Sequence, residues 1–206
     1  MMNDLYGPSD YAPMIFRKDV PKEISAVKLS KWYDSLEERD KNRLSRYVEG
    51  ADTSSKAAMI ADMMSRANAE ANSPVSIILG EFAETQNFAP AERFRIIEEY
   101  ILALFEKDDV CKAKEMCLRN LDIVPGILPQ ILGKDGKIPE FMPCRNRLID
   151  IMVGVEKDYE GAMDMLDRFN SIGILSDEDL ALRKQSLRVH RLQRTFDSIY
   201  SYQFTE

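Results

Sequence analysis

The sequence predicts an all-α protein: antiparallel helix pairs stacked as a short solenoid and closed by a long C-terminal capping helix. Three observations carry this expectation. Only nine Gly and nine Pro punctuate 206 residues, while Leu, Ala, Met, Glu, Lys and Arg fill the long segments, a composition that favours helix over sheet. Apolar residues recur there at steps of three and four, which sets them on one stripe of a helix. Two helix pairs also end alike 35 residues apart, in Phe88-Ala89-Pro90 and Ile123-Val124-Pro125, and a period of this size in helix pairs is the signal of stacked repeats.

Composition bounds the rest. An apolar fraction of 45% and a charged fraction of 31% belong to a folded chain. No run approaches the roughly 18 uncharged apolar residues that span a bilayer, and no leader pattern stands at the N-terminus, so no membrane association is expected. Cys111, Cys117 and Cys144 are an odd, sparse set, which points to a reducing cytoplasm and not to a disulfide framework. The formal charge of −7 disfavours nucleic acid as a partner.

In order along the chain, residues 1–22 carry Pro8, Pro13 and Pro21 among Tyr6, Tyr11 and Phe16 and read as an extended arm. Residues 23–206 read as one helical-repeat domain. Leu29, Trp32, Tyr33, Leu36, Leu44, Tyr47 and Val48 predict one helix over 29–48, stopped at Gly50. A helix over 55–71 bears Met59, Ile60, Met63 and Met64 among alanines and needs neighbours on two sides. Ser73 and Pro74 open a third, ending before Pro90, and Pro90 opens a fourth to Glu106. The fifth, over 109–123, is expected to close at Pro125 and Gly126. Residues 126–142 form an insertion in which Asp135-Gly136 could close a hairpin or a plain loop. Helices over 144–155 and 158–171 follow, and Gly173 precedes a final helix over 177–202.

Residues 94–127 and 143–176 resemble tetratricopeptide repeats. Glu106-Lys107-Asp108-Asp109 opens the second helix of one pair, Ala113 takes the small-residue position where its helices cross, and Pro125 takes the terminal proline; Glu156 to Leu166, with Ala162 as the small residue, is similar in the next pair. A looser pair occupies 59–92, where bulky Ile78 replaces the small residue. The resemblance implies a right-handed solenoid with a concave wall for protein or peptide partners, on which Arg95, Glu98, Leu102, Arg147 and Ile151 would be exposed.

Chemistry-bearing patterns are sparse. The single histidine, His190, lies between Arg188 and Arg191, which oppose its use as base or ligand. Cys111 and Cys117 lack the spacing of a zinc or redox pair and read as structural thiols. Asp177, Glu178 and Asp179 follow a capping Ser176, where acidic residues suit the helix dipole. Gly133-Lys134-Asp135-Gly136-Lys137 lacks the spacing of a phosphate loop. No cofactor or metal is expected. The final helix carries Arg183, Lys184, Arg188, Arg191 and Arg194 without an acid between them, beside a near-heptad of Leu182, Val189, Leu192, Phe196 and Ile199. Three readings stand for it: a cap on the last pair, the seam of a homodimer, or a contact for an anionic partner such as RNA. The leading functional expectation is a non-enzymatic interaction module, with anionic-ligand regulation and an enzyme of unrecognised cleft as alternatives.

Overall fold

The computed structural model describes residues 20–133 and 135–203, and among them every regular element is a helix. The arm expected over 1–22 lies outside the described residues as far as residue 19. Short helices α1 (Lys22–Ala26), α2 (Ser30–Ser35) and α3 (Glu38–Val48) lead into α4 (Lys56–Ala69), α5 (Ser73–Glu84), α6 (Pro90–Glu106) and α7 (Val110–Ile131). Then come α8 (Pro143–Asp150), which runs into one π-helical turn (Ile151–Val155), α9 (Tyr159–Ser171) and α10 (Asp177–Gln203).

The starts and stops are set locally. Ser55 Oγ accepts from Ala58 N at 3.0 Å, Asp109 Oδ1 from Lys112 N at 3.2 Å, and Asp158 Oδ1 from Gly161 N at 2.9 Å, each side chain satisfying one free amide of a first turn. The ends of α4, α6 and α9 share one geometry. Ala71, Asp108 and Gly173 sit at φ +54° to +81°, and the next amides bond back five residues, Asn72 to Ala67, Asp109 to Leu104 and Ile174 to Phe169, at 2.8–3.0 Å. This closure reverses the chain within a few residues, so consecutive packed helices run antiparallel.

Two element boundaries differ from expectation. The helix predicted over 29–48 is two, with Leu36 and Glu37 extended between them at ψ 151° and 150°. From Leu36 to Leu44 the apolar stripe drifts by roughly 80° around a helix, so one straight rod could not bury both halves. The break lets Trp32 stack on Phe82 of α5 at 4.4 Å while Leu44, Tyr47 and Val48 enter the core. Helix α7 runs through Pro125 and Pro129 to Ile131. Each proline removes a backbone donor, but Leu121, Val124 and Ile127 stay buried in register, and that burial outweighs the missing bonds. The insertion is therefore only about ten residues, a loop in which Gly133 N bonds to Lys137 O at 2.8 Å.

Packing follows a regular scheme. Helix α6 touches α4 and α8 as well as its chain neighbours α5 and α7. On the other side Arg119 of α7 reaches Glu84 of α5 at 2.6 Å, and Arg168 of α9 reaches Asp122 of α7 at 2.7 Å. The core runs continuously through Met59, Ile60 and Met63, then Ile96, Tyr100 and Ile101, then Met116 and Leu121, to Leu148 and Phe169. The close approach of α5 and α6 uses Gly80, whose missing Cβ would lie 2.3 Å from the Tyr100 ring, and not position 78. No helix among the described residues is long and apolar enough to cross a membrane.

Candidate partner groove and C-terminal helix

Helix α6 is apolar toward α5 and α7 but turns Phe94, Arg95, Glu98, Glu99 and Leu102 to its remaining face. With that face as floor, two hollows meet side by side. One, of about 340 Å³, is walled by α4 and the preceding turn through Asp52, Ala58, Asp62 and Ser65. The other, of about 430 Å³, is walled by Gln130 and Ile131 of α7, by Pro139 and Phe141 of the insertion and by Pro143 at the start of α8. They share Phe94, Arg95, Glu98 and Glu99, so they form one groove, acidic at the α4 end and apolar at the insertion end.

Three of the five expected wall residues, Arg95, Glu98 and Leu102, line this groove. Arg95 is exposed and Leu102 half-buried. Arg147 lies at its edge, its guanidinium 4.6 Å from the Phe105 ring and 5.6 Å from Phe141, with Asp150 at 2.9 Å. Ile151 does not belong there. It is fully buried at the start of the π turn, where its carbonyl accepts Glu156 N five residues on, so it is a core residue.

Glu98 differs from a surface acid. Its Oε1 accepts from Asn120 Nδ2 at 2.7 Å and from Cys144 N at 3.2 Å, so a carboxylate of α6 caps the first turn of α8. Burial pushes its carboxyl up to about 7, against the opposing pull of the Cys144 and Asn120 donors and with Glu99 adding to the rise. Desolvation likewise raises the Cys117 and Cys144 thiols, helped by the Glu98 charge, which leaves them protonated and inert. Cys111, read together with Cys117 as a structural thiol, is exposed. Among the described residues no group of three or more His, Cys, Asp or Glu is placed to hold a metal ion.

Two residues that organise the groove escaped the sequence pattern. Asn120 is fully buried and ties α7 to α6 through Phe94 O and Glu98. Arg145, 3% exposed, donates to Ile174 O at 2.7 Å, Pro139 O at 3.0 Å and Glu140 O at 2.5 Å, fixing the insertion wall and the α9–α10 turn together. Their only sequence signal is a polar residue in an apolar register and a cation in the first turn of a helix, where charge of that sign is disfavoured.

The basic helix is divided. Lys184 pairs with Asp167 at 2.5 Å and Arg191 with Glu160, both on α9; Arg183 is half-buried, and Arg188 and Arg194 are exposed. His190 stands exposed, its Nδ1 3.0 Å from the Tyr159 hydroxyl. The near-heptad does not cover the last pair as a capping stripe would. Leu182, Val189, Leu192 and Phe196 are 57–64% exposed, and Leu180 and Leu187 pack inward instead.

No family model, curated protein or solved structure matches the chain.

Proposed function

We propose that the chain is a non-enzymatic helical-repeat module that holds a segment of another protein in the groove along α6. On this reading α4/α5, α6/α7 and α8/α9 are its pairs, stacked like a short right-handed tetratricopeptide solenoid. The contacts of α6 with both α4 and α8 support the stacking, since first helices of successive pairs line one wall in such a solenoid. The observation that carries the binding function is the groove's composition. Asp52, Asp62, Glu92, Glu98 and Glu99 line the groove with Arg95 as the one cation among the lining residues, Asp62 pairing also with Arg66 at 3.3 Å, while Leu102, Ile131 and Phe141 supply an apolar end. The fitting partner is a segment that carries Lys or Arg close to a large apolar side chain. Glu98 is already engaged by Asn120 and Cys144, which supports a structural role for it over general acid or base work.

Selection of random peptides on the full chain tests this. Basic-apolar sequences are expected to be enriched, with affinity at least tenfold weaker for Leu102→Asp or Asp62→Lys and falling as salt rises. Arg147→Glu is a poorer probe, because that side chain is clamped between two rings. Peptides that bind both groove variants as well as the parent chain overturn the proposal.

A further inference from the structure

Helix α10 has two opposed faces. Leu180, Lys184, Leu187 and Arg191 follow at three- and four-residue steps and meet the body, the leucines on the core and the cations on Asp167 and Glu160. Leu182, Val189 and Phe196 stand seven apart with Leu192 among them, all more than half exposed. At about 100° per residue the two stripes are centred roughly 150° apart, so the second faces away from the body. Of the six large apolar side chains exposed among the described residues, four lie on this one stripe. Scattered apolar residues need no explanation; an aligned row does.

We propose that this stripe is the seam of an antiparallel dimer, packed against α10 of a second copy. Residues seven apart with one between are the spacing of two-helix packing. With the symmetry axis between Val189 and Leu192, each of these meets the other residue type across the seam, and Phe196 of one copy covers Gln185 of the next. The edges of the stripe select this occupant over an acidic helix. Ser186 and Gln193 flank one side, Arg188 and Thr195 the other, so the antiparallel pair sets Arg188 opposite Thr195 and brings no like charges together. An acidic partner would require cations on both edges, yet Lys184 and Arg191 are held by the body. The antiparallel order also opposes the two helix dipoles. Eight exposed apolar side chains at roughly 100 Å² each, with their flanks, bring the contact to about 1,000 Å², near the lower bound of specific interfaces, which makes a reversible dimer. This inference stands apart from the groove reading.

Sedimentation of the full chain from about 1 to 500 μM tests it. The mass is expected to rise from the 23.6 kDa of one chain towards twice that value. Val189→Glu with Leu192→Glu is expected to weaken association at least a hundredfold while leaving the circular dichroism melt unchanged at the lowest concentration, where the parent is also monomeric, since both side chains are exposed. In a Cys111→Ser background, Val189→Cys and Leu192→Cys chains mixed under oxidised glutathione are expected to join as a mixed disulfide faster than either joins itself. A chain monomeric throughout, a double variant that associates like the parent, or faster self-joining of the Val189→Cys chain overturns the proposal.

Discussion

Gly80 fixes the distance between α5 and α6. A methyl group there would enter the Tyr100 ring, which is 1% exposed. Alanine is the better helix former by about 1 kcal/mol, but overpacking costs about 1–3 kcal/mol and exceeds that gain at this spacing. Gly80→Ala is therefore expected to lower the urea midpoint, and an unchanged midpoint would show that the helices can part freely. Glu98 acts through its proton. A free glutamate titrates near 4.5 and this one near 7, so the folded state holds the proton more tightly than the unfolded chain. Its contribution to stability is full below about 4.5 and is lost as pH rises through 7, by up to about 3 kcal/mol. Glu98→Gln stays neutral. Urea unfolding of parent and variant is expected to diverge in the variant's favour between pH 5 and 8; a constant difference across that range contradicts the assignment.

Among the elements, α8 is held from outside itself. It is short, and Arg145 joins it to three carbonyls of the insertion and of the α9–α10 turn. Arg145→Ala strands those buried acceptors and is expected to cost at least about 3 kcal/mol and to speed proteolysis within residues 132–142. Equal digestion rates for variant and parent would refute that role. The long helices were legible because their periodicity and caps are local: Pro90, Asp109 and Ser176 start α6, α7 and α10 as their chemistry requires. The misread boundaries depend on tertiary packing. Pro125 reads as a stop because its lost donor is local, whereas the burial of Val124 and Ile127 that carries α7 onward comes from other segments. The split at Leu36 was visible as a phase slip in its own stripe, a signal finer than the spacing count that merged α2 with α3.

At the scale of the molecule, charge is sorted by place. The groove collects carboxylates around Arg95, whereas on α10 Lys184 and Arg191 are paired with Asp167 and Glu160 of α9, so the excess negative charge is concentrated away from the exposed stripe of α10. Groove binding should accordingly weaken between low and high salt, whereas the apolar seam of α10 should not, and paired titrations separate the two. The floor of the site was half legible. Arg95 and Leu102 follow from the exposed face of an amphipathic α6, but Glu98 turns inward because the first turn of α8 offers it a free amide. Ile151 was misplaced because nothing in the sequence announces the π turn that carries it into the core.

The insertion between α7 and α8 has a consequence for how such a chain can change. Its last residues are tethered by Arg145, and α8 is separately sealed by Glu98. Residues 135–138 therefore stand between fixed ends, next to the Pro139 and Phe141 wall of the groove. Lengthening or recoding that stretch would reshape one rim of the groove without shifting the helices below. A stretch so placed can change in length or sequence while the helical core is kept.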